Sequence, residues 1–590
     1  MNKTVGLGVS LLLLASCTDK VGEEVNGMAT DGYSVMLRHD FEYEDGTRVS
    51  LTRKDKGVSC VWEEGDEIGV FPIAPESGTQ SRMTIKKNDN YKDAHYAEFS
   101  GGGWKLNPQN TYAAYYPYNA SLASDANHTS VRIDLSGQKQ TGNGSMAHLS
   151  KYDYMYAPST FAVEKDEYGW EHVVAFDFHH AVSIMELKLK VPVAATWTNL
   201  LIDAADYHYF PIYADMDATT GEIHNMIGMQ STRLALENVT TKSADVELTL
   251  YVAVLPVEAA SHNRENGIYS LETWVETCPL TVAANTADGR TYYAVIEGKN
   301  QTAGKIYRYN TTLKELPKNY NCVVDGHRCV DLGLPSGTKW AAQNFGASNL
   351  LDIGKLYRWG ETAAYGEPMT GYPDDWSNNQ YDRNPNYRAG ELLTLYDYVV
   401  ETSNIINKKN CTWCFNSYKW GVHHVNGYSS RYMNNIKYSS EYSYLSILQP
   451  EDDVATMNWG EKWHIPVIGD FFDLTDNCLC VHMDYPKGSG KLCYFYFKAK
   501  NKNDKNKTVS VNEAKEHGYT MDDPYVMFTR ESMLFDFPTI DREYTRYELS
   551  FWTAEMQTTV PNVFTGGQNK FNIDATIHPT PHPIRAVYKE

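Results

Sequence analysis

Positive charge is scarce in this chain of 590 residues, which has 53 lysines and arginines against 74 aspartates and glutamates and a net charge of −21. A general nucleic-acid binder needs a basic surface that displaces counterions from phosphates, so the charge argues against that function. Cysteine is also sparse, and ten residues are too few to build a disulfide scaffold of this length. The hydrophobic fraction of 42% is nonetheless ample for several packed cores.

Long apolar runs and catalytic motifs are missing as well. Beyond the N-terminus, no stretch approaches the roughly 18 consecutive apolar residues that indicate a transmembrane helix. Neither the HExxH motif nor the GxSxG motif occurs. A glycoside hydrolase needs two opposed carboxylates. Because this chain has so many acidic residues, the sequence alone does not identify such a pair. We therefore predict that the protein is not an enzyme, with a lectin-fold enzyme as the least favoured alternative.

The N-terminus has the pattern of an export signal. After a short basic start, the apolar run from Gly6 to Ser16 is too short to span a bilayer and fits the hydrophobic region of a secretory signal. It ends in Leu-Ala-Ser-Cys, which resembles the lipobox of bacterial lipoproteins. The resemblance implies a signal peptide over residues 1–16, lipid on Cys17, a lipidated linker over 17–30 and a place on the outer membrane. The alternative is an ordinary signal peptide with a chance cysteine.

Residues 31 to about 318 carry the period-two pattern of β-strands. In Val246–Val254 the even positions are all apolar, and apolar residues alternate with Glu and Lys over Met185–Val191. This alternation is typical of strands with one buried face, and glycine-rich turns separate the runs. The sequence predicts two tandem β-sandwiches over residues 31–191 and 192–318.

Several motifs in this region resemble those of the fimbrillin-like family, the Bacteroidales pilus subunits and lipoproteins. They occur in the expected order and cover about 280 residues: Trp62–Phe71 (WEEGDEIGVF), Tyr112–Tyr118 (YAAYYPY), Asp153–Ala157 (DYMYA), Phe178–Ala181 (FHHA), Tyr251–Pro256 (YVAVLP) and Ala303–Tyr307 (AGKIY). Each motif also has a purely structural interpretation as aromatic core, turn or buried strand.

The fimbrillin-like resemblance implies assembly into a pilus. In that family, trypsin-like cleavage removes a first strand, and a neighbour's C-terminal strand fills the groove that remains. The physical basis is strand addition, in which a donor satisfies the unpaired backbone groups of an open sheet edge. Arg48 and Arg53 precede the Trp62 motif and are the candidate cleavage sites. The alternative is that both are ordinary solvated charges.

Residues 322–590 differ in character from the first half. The segment Asp331–Trp340 (DLGLPSGTKW) resembles the major paralogous domain named after a Fibrobacter, and so does the Trp- and Tyr-rich sequence that follows it. This resemblance implies an α+β, C-type-lectin-like fold. Phe471, Leu474 and Cys478 share one face of a predicted short helix after Pro466. A Tyr- and Asn-rich insertion spans roughly 365–450. The predicted fold is therefore mainly β, with two tandem fimbrillin-like sandwiches followed by this domain.

Two groups of residues are weak metal candidates. Two thiolates and an imidazole, from Cys411, Cys414 and His423, could hold zinc, but the cysteines fit a disulfide or unlinked thiols equally well. The acids Glu451, Asp452 and Asp453 could hold calcium, but they fit the start of a helix equally well. We predict no cofactor, with calcium left open.

Three hypotheses for function follow from these patterns. The first is a pilus subunit at the filament tip, whose partners are other fimbrillin-like subunits and whose lectin-like domain binds a glycan or protein. The second is an outer-membrane lipoprotein that captures such a ligand without polymerising. The third is the lectin-fold enzyme.

Overall fold

The structure is a computed structural model. It describes a set of segments that covers most of the chain between residues 34 and 590: 34–38, 52–54, 57–59, 62, 65–75, 77–85, 97–101, 107, 109–120, 122, 130–165, 171–206, 208–256, 278–357, 362, 364, 445–448, 450, 453–529, 533–536, 550–557, 560–567, 570–575 and 582–590. Within these segments no helix has the length and apolar character needed to cross a membrane.

The first part of the chain forms a sheet that closes on itself. Its described strands are β1 (Ser34–Arg38), β2 (Thr52–Lys54), β3 (Gly57–Ser59), β4 (Glu67–Ala74), β5 (Ser81–Ile85), β6 (Ala97–Ser100), β7 (Thr111–Tyr116), β8 (Ser130–Asp134), β9 (Gln138–Thr141), β10 (Met155–Lys165), β11 (Glu171–Asp177) and β12 (His179–His180). The strand order is β11-β1-β6-β5-β4-β7-β10-β12, and β10 also pairs with β11. Seven strands therefore form a closed ring.

Aromatic residues of the fimbrillin-like motifs fill the core inside this ring. Trp62 makes edge-to-face contacts with Phe99, Tyr116 and Phe178, at ring centroid distances of 5.1, 5.4 and 5.8 Å. All four side chains are buried. Such pairs stabilise a core beyond the area that they bury. The WEEGDEIGVF, YAAYYPY and FHHA motifs thus build one core.

The second part of the chain adds ten strands. They are β13 (Ser183–Val191), β14 (Ala195–Ala204), β15 (Phe210–Asp217), β16 (Ile223–Met229), β17 (Ser231–Thr241), β18 (Val246–Val254), β19 (Pro279–Thr286), β20 (Thr291–Glu297), β21 (Ile306–Thr312) and β22 (Lys314–Glu315). One sheet has the order β18-β13-β21, and another has the order β22-β20-β19-β14-β17-β9. A 3-10 helix, Ala147–Tyr152, lies near β9 and β18.

Strands from both sides of residue 191 share sheets in this region. β8 pairs with β15, and β9 runs parallel to β17, although both precede β13 in the chain. Most of β18 and the first half of β13 are also buried on both faces rather than on one, whereas Lys188 and Lys190 keep the predicted alternation in the second half of β13. Leu250 and Val252 pack in one hydrophobic core, and Tyr251 and Ala253 pack in a second. The three-stranded sheet therefore lies between two cores, which the single-face pattern did not predict.

The third part of the chain contains sixteen described strands and three α-helices. The strands are β23 (Cys322–Val324), β24 (His327–Val330), β25 (Lys339–Ala341), β26 (Leu356–Tyr357), β27 (Leu445–Ile447), β28 (Trp463–His464), β29 (Cys478–Asp484), β30 (Leu492–Lys498), β31 (Lys507–Val509), β32 (Tyr525–Thr529), β33 (Met533–Asp536), β34 (Ser550–Gln557), β35 (Val560–Gly567), β36 (Lys570–Ala575), β37 (His582–Pro583) and β38 (Val587–Tyr588). The helices are α1 (Val454–Trp459), α2 (Ile468–Asn477) and α3 (Val511–Glu516). A 3-10 helix spans Lys502–Asp504.

Four sheets organise this part, with the orders β23-β24-β25-β38-β28, β26-β37, β27-β34-β35-β36 and β31-β29-β30-β32. The predicted short helix is present as α2, with Phe471 and Leu474 buried. Cys478, which was expected on the same helix face, instead begins β29 and packs in the same hydrophobic core. Val467 cannot cap this helix with an oxygen, and the Asp470 carboxylate instead accepts a hydrogen bond from the Val467 N–H at 3.0 Å. The prediction of a mainly β protein is confirmed.

Candidate functional site

Strand β1 is inserted between two other strands of the closed ring. It pairs in parallel with β11, from Ser34 opposite Val173 to Arg38 opposite Asp177. On its other side it pairs antiparallel with β6, from Ser34 opposite Ser100 to Leu37 opposite Ala97. Among the described strands, β1 alone links β11 to β6. Its loss would therefore expose two rows of unpaired backbone groups, which is a template for another strand.

The strands that flank β1 carry buried apolar side chains. Phe99 of β6 and Val174 and Phe176 of β11 belong to the hydrophobic core that contains Trp62. These three side chains are at most 1% exposed. A groove opened between β6 and β11 would thus combine free backbone groups with apolar walls, the combination that a donor strand satisfies.

Both candidate cleavage residues follow β1 in the chain, so a cut at either one separates β1 from the rest of the ring. Arg53 lies in β2, directly opposite Val58 in the β2–β3 hairpin. Arg48 lies outside the described residues, as does Cys17. Because proteases generally need an extended and accessible chain, the hairpin pairing of Arg53 disfavours a cut at that residue.

The last strands of the fimbrillin-like region are built into its second part. β21 runs parallel to β13 from Ile306 to Thr312, and β22 pairs with β20. Tyr309, Leu313 and Leu316 are buried, and the Arg308 guanidinium donates to the Glu186 carboxylate at 2.7 Å. Six residues after Leu316, Cys322 forms a disulfide with Cys329 and starts the third part of the chain. The sequence alone did not predict the pairing of these two cysteines.

A buried ion pair joins the second and third parts. The Lys491 Nζ lies 2.5 Å from the Asp203 Oδ2, and the two side chains are 3% and 2% exposed. Burial raises the pKa of Asp203 to about 6, although the Lys491 ammonium opposes this shift. Beside the pair, the Leu492 N–H donates to the Asp206 carboxylate at 3.0 Å. Gly490 has a positive φ of +69°, and a Cβ there would lie 2.8 Å from the Ala205 Cβ, so this close approach requires glycine.

Apolar packing and a shared sheet complete the junction. One hydrophobic core contains Leu201 and Tyr293 from the second part with Leu351 and Phe495 from the third. Strand β33 of the third part pairs with β16 and so joins the sheet β33-β16-β15-β8. The Arg233 guanidinium also lies 2.7 Å from the Asp352 carboxylate. The third part is therefore docked against the second through a continuous interface.

The metal candidates lie mostly outside the described residues. This holds for Cys411, Cys414 and His423 and for Glu451 and Asp452.

Asp453 is the N-cap of α1. It accepts hydrogen bonds from the N–H groups of Ala455, Thr456 and Ile465 at 2.9, 3.0 and 2.8 Å. Within the described segments, no three His, Cys, Asp or Glu side chains lie close enough together to hold a metal ion.

Comparison with known proteins supports the family resemblance of the first half. The sequence model of the fimbrillin-like family matches residues 47–326. Residues 47–326 are thus a fimbrillin-like region, which supports a role as a fimbrial subunit or adhesin at the cell surface. No curated protein matches the chain.

The similar solved structures are distant. A putative cell adhesion protein from Bacteroides uniformis is 15% identical with a TM-score of 0.28, covering 49% of this chain and 97% of its own. The tip fimbrial protein Mfa3 from Porphyromonas gingivalis, with a C-terminal truncation, is 14% identical with a TM-score of 0.26, covering 48% and 98%. A fimbrial protein from Bacteroides ovatus is 10% identical with a TM-score of 0.22, covering 95% and 100%.

Proposed function

We propose that the protein is a surface lipoprotein that acts as a fimbrial tip subunit and adhesin. The observation that carries this proposal is the position of β1, which is inserted between β11 and β6 and lies ahead of both Arg48 and Arg53 in the chain. A cut after either arginine leaves a ring that lacks one strand. A donor strand from another fimbrillin-like subunit then fills the groove and gains both rows of backbone hydrogen bonds.

The end of the fimbrillin-like region supports a place at the tip. A subunit within the shaft must donate a C-terminal strand, but here β21 and β22 are paired within the second part. About 270 further residues follow them, and the buried Lys491–Asp203 pair fixes their domain against the same part. The subunit thus accepts a strand and donates none, so it can only occupy the distal end.

The two ends of the chain have separate roles in this proposal. Lipid on Cys17 holds the precursor at the outer membrane, because several acyl chains exceed what lasting attachment requires. Cleavage after Arg48 or Arg53 then releases the subunit for assembly. The C-terminal part, an α+β domain of C-type-lectin-like character, is exposed at the tip and binds a glycan or protein ligand.

The alternative is an outer-membrane lipoprotein that captures a ligand and never polymerises. Fractionation of cells into sheared filaments and membranes separates the two. The proposal predicts that part of the protein co-purifies with the filaments and has an N-terminus after residue 48 or 53. Protein found only in the membrane fraction, with Cys17 as its N-terminus, would favour the alternative.

A further inference from the structure

A polar groove lies at the junction of the second and third parts, away from β1. It consists of two neighbouring cavities of about 330 and 250 Å³, both open to solvent. The larger one reaches the lower end of the volumes usual for small-molecule sites, which occur preferentially where domains meet. Both cavities are lined by Gly289 from the second part and by Arg328, Gln343 and Ser348 from the third.

Arg328 is the cation that the two cavities share. Its Nη1 donates to the Gly289 carbonyl at 3.0 Å, and its guanidinium lies 4.9 Å from the Tyr320 ring centroid. The disulfide between Cys322 and Cys329 ties the strand that carries Arg328 to its neighbour. Arg328 is exposed, and its Nε and Nη2 atoms have no hydrogen-bond partner among the described residues. The guanidinium is thus held in place, and its remaining N–H groups are available to donate hydrogen bonds to a ligand.

Two side-chain amides of the larger cavity also have unused groups. The Asn285 Nδ2 donates to the Asn199 Oδ1 at 2.7 Å, which orients Asn199 and leaves its NH₂ group without a partner in the described part of the chain. The Gln343 Nε2 donates to the Ala347 carbonyl at 2.6 Å, and its Oε1 is unpaired within that same part. The cavity therefore offers a neutral donor and a neutral acceptor in addition to the cation.

A stacked aromatic pair forms another part of the wall. The rings of His327 and Trp459 lie 4.2 Å apart with an interplanar angle of 20°, and both residues line the larger cavity. Burial lowers the pKa of His327, which favours the neutral form of its ring. The wall at this point therefore presents aromatic rings and disfavours a second positive charge.

From these groups we propose that the groove binds an acidic saccharide, a sugar residue with a carboxylate such as a uronic or sialic acid. The Arg328 fork matches the geometry of a carboxylate. The free groups of Asn199 and Gln343 suit sugar hydroxyls, and the aromatic wall suits the apolar face of a sugar ring. Among the described residues, Arg328 is the one lysine or arginine that lines the larger cavity, which disfavours a multiply charged anion there. In the smaller cavity the cations Arg290 and Lys318 are accompanied by the carboxylates of Asp288 and Glu315. This inference rests on the proposed adhesin function and names its ligand class.

The test is calorimetric titration of the full mature protein with methyl glucuronide, methyl N-acetylneuraminide, methyl glucoside and inorganic phosphate. At least one of the two acidic sugars is expected to bind, and to bind at least tenfold more tightly than the neutral sugar or phosphate. Arg328→Gln should weaken its binding by about tenfold or more, because a charge-assisted pair is lost. Asn199→Ala should weaken it by a smaller factor. Arg82→Gln, which removes a surface guanidinium on β5, should change nothing.

Thermal melts of each variant establish that it is folded. The proposal is overturned if neither acidic sugar binds, if phosphate or the neutral sugar binds as tightly, or if folded Arg328→Gln binds like the unmodified protein. The proposed fimbrial function is judged separately by the presence of the protein in sheared filaments. A protein that enters filaments but binds no acidic sugar would remove this inference and leave that function standing.

Discussion

A chain that carries both Arg48→Ala and Arg53→Ala is expected to remain a monomeric precursor and to be absent from filaments. Without either arginine, a trypsin-like protease cannot release β1, and the strand stays paired with β11 and β6. A closed ring has no groove for a donor strand, so we expect assembly to be lost rather than reduced. The measurement is the amount of protein in sheared filaments, together with the N-terminal sequence of the membrane-bound form.

Arg82→Ala is the matched control, because Arg82 pairs with Glu67 on the surface and lies beyond β1 in the chain. It should assemble normally. Arg53→Ala alone should have a small effect, since the pairing of Arg53 with Val58 in a hairpin hinders a protease there. If the double variant enters filaments at the normal level with β1 still attached, cleavage at these arginines is not the step that permits assembly.

Lys491→Met is expected to lower the free energy of unfolding by about 3–5 kcal/mol, which is the usual loss when one partner of a buried ion pair is removed. The variant leaves the Asp203 carboxylate buried without its cation. Lys491→Met combined with Asp203→Leu should recover most of the stability, because two apolar residues replace the pair. Lys500→Met is the control: its pair with Asp523 is partly exposed, so about 1 kcal/mol or less should be lost. Denaturant unfolding measures all four proteins.

The loss in Lys491→Met should also depend on pH. Burial already raises the pKa of Asp203 to about 6, and removal of the opposing ammonium raises it further. The folded variant then holds a proton that the unfolded chain releases near pH 4, so its stability is highest at low pH and falls as the pH rises through the folded pKa. We expect a larger difference from the unmodified protein at pH 8 than at pH 5. An equal loss at both values would mean that Asp203 is not the group left unpaired.

The sequence was most informative where local pattern and local structure coincide. The spacing of Phe471 and Leu474 after Pro466 predicted α2, because a helix places these two positions on one face, whereas Cys478 already belongs to β29. The sequence identified the aromatic residues of the fimbrillin-like motifs as core positions one motif at a time, and the structure brings Trp62, Tyr116 and Phe178 into one core. The role of β1 as a removable first strand was implied by the family resemblance, and the five residues of the strand gave no sign of it.

The domain junction could not be predicted from the sequence. Lys491 follows a glycine- and serine-rich turn and has the appearance of a surface lysine, while its partner Asp203 lies 288 residues earlier. The contact of β33 with β16 likewise joins segments far apart in the chain. Arg328 has no distinctive local pattern, and only the packing of the second part against the third brings it to one groove with Asn199 and Gly289. Such long-range contacts leave no periodic signal.

The position of the protein in the filament tests the account most directly. Intact filaments would be labelled with gold-conjugated antibody against the C-terminal part and viewed by electron microscopy. A subunit that accepts a strand and donates none can occur only once per filament, so the account predicts a single gold particle at one end. Gold distributed along the shafts would mean that the subunit also donates a strand, and would contradict the tip assignment.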